Sequence, residues 1–292
     1  MRAVQSSHKT TLFGSSYQGV DSCVDVLVPK GTDPSAGWKV EGKVKKIFDK
    51  SARGYVFHLG GGRGTALKLP RERRTVLGLT HRFFVVQLRV PDGGPFTLEL
   101  DFLDAARRRR RLVFSSAFKA VDRTELHVKV PLPLVALLPC GVWVDLVFDV
   151  HELAASSFGD GTPTKTAQRK SSRSAAATDA QTCFAALTAV TIGPTCTVRR
   201  IFTLGRSPAA SAETSYGGDG DVSSAFASSG AIPAKHACPG GAQLCIVTMP
   251  SVVAALAALA PSTRAKVAPA RRAGRNVAFG RRSSPAALVA SG

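Results

Sequence analysis

Apolar and polar residues alternate with period two along much of the chain between Cys23 and Leu204. In PFTLELDFL, Phe96, Leu98, Leu100 and Phe102 fall on one parity, and Thr97, Glu99 and Asp101 on the other. A strand with one buried face requires this pattern, because successive side chains leave a strand on opposite sides. ELHVKVPL repeats it with Leu126, Val128 and Val130, and VWVDLVFDV with Val144, Leu146, Phe148 and Val150. CVDVLV, GYVFHL, RFFVVQLRV and TVRRIFTL add further β-rich runs. The buried parity predicts a core that includes Leu112 and Phe114 as well as Phe96 to Phe102 and Val144 to Phe148.

Turn residues separate these runs. Pro91-Asp92-Gly93-Gly94 predicts a hairpin between its flanking strands, and Gly60-Gly61-Gly62-Arg63-Gly64 a loop. The total is about ten strands at sandwich-like spacing, with no long segment of helical period. The expected fold is therefore all-β, an antiparallel jelly-roll-like β-sandwich over residues 11–208, after a flexible N-terminus at 1–10. Residues 156–181 are rich in Ser, Thr, Ala and basic residues and predict a flexible insertion. Residues 209–292 are low in large apolar side chains and predict a basic, disordered tail, with at most a transient helix at Val252 to Ala260.

Charge changes the picture more than composition does. Lys plus Arg number 39 against 20 Asp plus Glu, a net charge of +19. Only eight basic residues lie beyond Arg206, so most of the excess belongs to the folded part. Such a field selects polyanionic partners: an acidic protein face, nucleic acid or an anionic surface. Its sharpest feature is Arg107 to Arg111 in DAARRRRRLVFSS. Arg109 and Arg111 have the parity opposite to Arg110, Leu112 and Phe114, so the run is expected to be a strand entering the sheet and not a free tail. With Lys68, Arg71, Arg73, Arg74, Arg199 and Arg200, the arginines Arg107, Arg108, Arg109, Arg110 and Arg111 are the candidate docking patch. Serine at all five positions of the run is expected to leave the fold intact.

Other motifs fail on their chemistry. The glycine run is followed by Leu67-Lys68-Leu69-Pro70, without the helix or Gly-Lys-Ser/Thr that a phosphate cradle needs. His151-Glu152 lacks the second histidine of a zinc-protease helix, since Ala155 stands there. His236, Cys238 and Cys245 could supply three metal ligands but have no fourth at a usual spacing. Cys23, Cys140, Cys183 and Cys196 lie in or beside β-rich runs and read as small core residues. Asp145 and Asp149 read as members of a solvated strand face. Of the 20 aromatics, 15 are Phe and only three Tyr and two Trp, too few for a glycan or base-stacking platform. No catalytic constellation, metal site or cofactor site is expected. No apolar run approaches the roughly 20 residues of a membrane span, and neither a signal peptide nor a membrane association is expected.

FGSSYQG (Phe13–Gly19), GWKVEGKVKKIFD (Gly37–Asp49) and KLPRERRTVLGLTHRFFVVQLRVP (Lys68–Pro91) resemble the cilia- and flagella-associated protein twenty domain family. The resemblance continues through RRRRLVFSSAFK, LHVKVPL, VWVDLVFDV and CTVRRIFTLGRSP, to about residue 208. It implies a β-sandwich without known catalysis, in a structural protein of the axoneme or basal body within the cytoskeleton. Tubulin or microtubules and other axonemal proteins are then the expected partners of the basic patch. A basic nucleic-acid-binding protein is the alternative.

Overall fold

The computed structural model describes residues 10–14, 18–19, 21–62, 64–132, 138–158, 184–208 and 232–259. Its first strands are β1 (Thr10–Thr11), β2 (Cys23–Leu27), β3 (Lys39–Glu41), β4 (Val44–Asp49), β5 (Gly54–Gly60), β6 (Ala66–Leu69) and β7 (Thr75–Val76). Then come β8 (Phe83–Arg89), β9 (Phe96–Leu103), β10 (Arg109–Ser115), β11 (Asp122–Arg123), β12 (His127–Pro131) and β13 (Val144–Asp149). Helix α1 (Val150–Phe158), β14 (Ala186–Leu204), β15 (Gln243–Val247) and helix α2 (Met249–Leu259) complete the order.

The long strand β14, 19 residues, organises the rest. Its first half lies antiparallel between β9 and β6, and its second half between β8 on one edge and β5 and then β2 on the other. Consequently β8 and β9 run end to end along one edge, and β5 and β6 run end to end along the other. Where each pair breaks, the sheet bends. Gly94 donates its N–H to Pro91 O (3.1 Å) and Thr195 donates to Pro95 O (3.2 Å) on one side. On the other side Gly61 donates to Pro194 O (3.2 Å), and a Cβ placed on Gly193 would collide with the Thr65 carbonyl oxygen. Glycine is thus required at the crease. The hairpin expected at Pro91 to Gly94 is not formed. A turn is present, but β14 offers a partner on both sides of it, so the chain is re-aimed and not reversed.

The result is mostly β, as expected, but it is one strongly curled mixed sheet, a half-barrel, and not a purely antiparallel sandwich. Thirteen strands join it. β10 with β12 and β13 with β15 are parallel, and so is the separate pair β1 with β7. The crease divides the sheet into two wings. The first is β11, β12, β10, β9, the first half of β14, β6 and β3; the second is β15, β13, β8, the second half of β14, β5, β4 and β2. Their inner faces meet in the main core, where the rings of Phe114 (β10) and Phe148 (β13) are 4.8 Å apart. Phe96, Leu98, Leu100, Phe102, Leu112, Phe114, Val144, Leu146 and Phe148, the core named from parity, are buried there, but Leu126, on the apolar parity of ELHVKVPL, precedes β12 and is exposed. Each such buried side chain contributes roughly 1.5–3 kcal/mol of transfer free energy.

The second wing is also covered from outside. β8 is buried at both parities from Phe83 to Leu88, and β13 throughout. Its outer face packs Phe83, Val85, Val147, Phe202 and Leu204 against Ile232, and Trp143, Val56 and Ala52 against Cys238. The segment 232–259 therefore returns across this wing, adds β15 beside β13, and docks α2 through Met249 and Val252. This corrects the expectation of an unpacked tail for those residues: the wing's outer apolar side chains bury Ile232 and Cys238, and Val247, Met249 and Val252 join the main core. It also corrects Asp145 and Asp149, both of which are buried. Asp149 binds Arg82 (2.6 Å) and accepts the Glu152 N–H (3.1 Å), capping α1, a helix that the alternation did not predict. The remaining parts of the expected tail (209–231 and 260–292), of the insertion (159–181) and of the N-terminus (1–9) lie outside the described residues.

Candidate docking groove

Register places the basic residues of the first wing in rows. On its outer face Lys39 lies opposite Lys68, Lys68 opposite Thr191, and Thr191 opposite Glu99. The next outward row is Ala189, Asp101, Arg111 and His127, followed by Ala186, Leu103 and Arg109. The small side chains Ala186, Thr188 and Ala189 of β14 leave a trough of about 1280 Å³. One wall carries Lys39, Lys68, Arg71 and Arg73, and the other Arg107, Arg109, Arg110 and Arg111. Seven of the eleven candidate patch residues therefore line one groove, although they come from segments about 40 positions apart in the chain. Lys39, His127 and the small floor were not singled out from the sequence. Lys39 alternates with Glu41 around Val40, a weak signal; Ala and Thr in the floor give none.

These cations are not equivalent. Lys39 and Lys68 grip Glu41 at 2.7 and 2.6 Å, and their hydrogen bonds hold its carboxyl down to about 2. Arg111 forks onto Asp101, with Glu99 3.6 Å away. Arg108 (2.8 Å) and Arg110 (3.1 Å) share Asp104. Burial opposes the Asp104 charge, but hydrogen bonds from the Arg108 N–H, its guanidinium and Arg110 outweigh that and keep the pKa below the usual range. Arg110 is only 8% exposed, as its parity requires; it also donates to the Glu125 carbonyl and stacks over Phe158. Thus Arg108, Arg110 and Arg111 are parts of the fold. Replacing all five arginines would strand Asp104 and Asp101, contrary to the expectation of a neutral change. Arg71, Arg73, Arg107 and Arg109 have no side-chain hydrogen bond or ion pair among the described residues and face the groove. Arg74 is likewise unpaired but does not line it.

Arg199 and Arg200 lie elsewhere. A bulge between Val198 and Arg200 turns both consecutive arginines to the outer face of the second wing. There Arg199 binds Gln87 Oε1 and the His236 carbonyl (3.2 Å), and Arg200 binds the Lys235 carbonyl (2.7 Å) and Asp25 (3.0 Å). They clamp the returning segment and do not belong to the groove.

The same region gathers Cys23, Asp25 and His236, which on paper resembles a nucleophile set. His236 Nε2 lies 2.9 Å from Asp25 Oδ1 and 3.2 Å from Cys23 Sγ. Nε2, the nitrogen that meets Asp25, is also the one nearer the thiol, with Nδ1 farther from it at 3.8 Å, whereas a relay needs the carboxylate and the nucleophile on opposite nitrogens. Burial, then Asp25, pushes the thiol up to about 11, away from the thiolate. Burial also lowers the pKa of His236, whose ring packs on Phe202 at 4.6 Å. The arrangement is a clasp between the returning segment and β2, and not a nucleophile set. Asp145 lies beneath the same segment, its pKa raised by burial. Among the described residues, no three His, Cys, Asp or Glu side chains gather in a way that could hold a metal ion.

Among solved structures, the chain is similar to an agarase, AgWH50C, at 6% identity over 64% of this chain and 25% of that one, with a TM-score of 0.33. It is also similar to PfGH50B, at 9% identity over 58% and 22%, with a TM-score of 0.28. The chain spans about a quarter of the length of these structures, and likeness this loose carries no argument. The family comparison is firmer: residues 13–170, more than half of the chain, match the CFA20 domain.

Proposed function

The chain belongs to the CFA20 domain family of cilia- and flagella-associated proteins, and from that premise we propose that it is a non-enzymatic docking protein that binds axonemal or basal-body microtubules through the groove of its first wing. The family is not known for enzymatic activity. One observation supports the docking surface: four arginines that have no side-chain partner among the described residues, from two separate segments, converge on one trough. Microtubules expose an acidic surface, and guanidinium groups bind carboxylates with two parallel hydrogen bonds. A single exposed pair contributes only about 0–1 kcal/mol, so binding must come from several acting together and must weaken with salt.

The test is co-sedimentation of the full chain with microtubules across a salt series, beside a nucleic-acid shift assay at equal salt. The expected result is salt-sensitive pelleting that weakens when Arg71, Arg73, Arg107 and Arg109 become serine. Tight nucleic-acid binding without pelleting would transfer the groove to the alternative reading of a nucleic-acid-binding protein.

A further inference from the structure

We propose that β4 is a self-pairing edge, through which two copies of the chain join antiparallel into one continuous sheet about a two-fold axis at Ile47. β4 pairs with β5 alone, and Lys45, Lys46, Ile47 and Phe48 are all exposed. Gly60 donates to Lys43 O (2.8 Å), so Lys45, Ile47 and Asp49 turn their backbone groups to β5. Lys46 and Phe48 turn theirs to the open edge, where these groups have no partner among the described residues. The edge is also apolar. Ile47 (38%), Phe48 (59%) and Tyr55 (54%) are exposed on one hairpin, and the Phe48 and Tyr55 rings meet edge-on at 5.7 Å. Unpaired backbone beside large exposed apolar side chains is what an added strand needs.

The lysines of β4 decide which strand that is. A two-fold pairing must set outward backbone groups against one another, so its axis falls on one of the six residues of β4. An axis at Lys45 or Lys46 puts that lysine opposite itself. An axis at Val44 puts Lys43 opposite Lys45, one at Phe48 puts Lys46 opposite Lys50, and one at Asp49 puts aspartate opposite itself. Like charges placed so are destabilising. At Ile47 alone no like charges meet within the strand. Ile47 then faces Ile47, and Lys46 faces Phe48 on both sides of the axis, each such pair exchanging two main-chain hydrogen bonds. Lys46 already rests over its own Tyr55 ring (5.0 Å) and gains the Phe48 ring of the second copy. Lys45 comes opposite Asp49, whose carboxylate Arg89 holds at 2.8 Å. The register that charge permits is thus also the one that matches apolar and cation–aromatic groups.

The test is sedimentation velocity of the full chain over a concentration series. A monomer–dimer equilibrium is expected. Ile47→Lys, which sets lysine opposite lysine at the axis, should weaken it at least about tenfold. Ile47→Cys reads the register, because a non-hydrogen-bonded antiparallel pair holds its Cα atoms about 4.5 Å apart, within disulfide range. Mild oxidation with diamide should link this variant into a dimer that reductant separates. Phe48→Cys, which faces Lys46, should stay unlinked, as should the unaltered chain, the control for its own cysteines. Circular dichroism checks folding, and if Ile47→Lys does not fold, the cross-link still decides. A chain that is monomeric at every concentration overturns the proposal and leaves the edge to a strand of a different protein. Undiminished dimerisation of folded Ile47→Lys also overturns it, and so does linking of Phe48→Cys as readily as Ile47→Cys.

Discussion

The two wings share a strand and a core, yet their outer faces have opposite fates. The outer face of the second wing is roofed by the stretch from Ile232 to Cys238; two arginines of that face, Arg199 and Arg200, are consumed in fastening that roof. The first wing has small residues at the floor of its outer face and arginines on both sides of them, four without side-chain partners among the described residues. The same residue type is a structural clamp on one wing and a free cation on the other. What decides between them is whether a distant segment returns to cover the face. Basic residues counted in a sequence therefore overstate a docking surface unless the covered ones are subtracted.

The sharpest way to break this comparison is through the face the wings share. Phe148→Ala removes a fully buried ring from contact with Phe114 across the fold and is expected to cost about 3–5 kcal/mol. With Trp38 and Trp143 read in separate single-tryptophan proteins, denaturant transitions should shift together; separate transitions would show that the wings unfold independently.

Next in size is the clamp. Arg199→Ala leaves Gln87 Oε1 without its donor beneath the roof and removes one of the two donors to the His236 carbonyl, the other being Gln87 Nε2 (2.7 Å), at an expected cost of about 1–3 kcal/mol in equilibrium unfolding.

Acid should loosen the same wing. Burial lowers the pKa values of His81 and His236, so both stay neutral in the folded state below the pH at which they protonate in the unfolded chain. Stability is then fully present above about pH 6.5 and falls as pH drops from there toward the folded-state values, by at most about 1.4 kcal/mol per pH unit for each group. Thermal melts between pH 7.5 and 5.5 should show it, and the fall should shrink in His236→Gln.

The smallest effect belongs to the open wing. Serine at Arg71, Arg73, Arg107 or Arg109, introduced one at a time, should change stability by no more than about 0.5 kcal/mol, measured by the same unfolding experiment. A loss comparable to that of Arg199→Ala would mean that these arginines also hold the fold, and the contrast between the wings would disappear.

Period-two alternation was enough to find the inner core, because each inward residue there obeys the simplest strand rule. It could not find the curl. β14 continues through Gly193-Pro194, where the sheet bends, and Pro91 to Gly94 reads as a hairpin because a turn's chemistry does not say what lies beyond it. The roof over the second wing did leave a trace: FFVV at Phe83 to Val86 is apolar at both parities, which a strand with one wet face does not need. Half of the groove was legible in the arginine run. The rest depended on cross-strand register bringing Arg71 and Arg73 to the opposite wall, and no local pattern encodes that.

β14 also has a mechanical consequence. Its first half is the floor of the groove, and its second half carries Arg199 and Arg200, which grip the roof. A pull on anything seated in the groove would travel along one unbroken backbone. Interstrand hydrogen bonds lie across the strands, so tension along β14 loads the bonds to its neighbours on both edges sideways and together, where peeling would open them one at a time. A molecule built this way resists being unzipped by a pull on that groove.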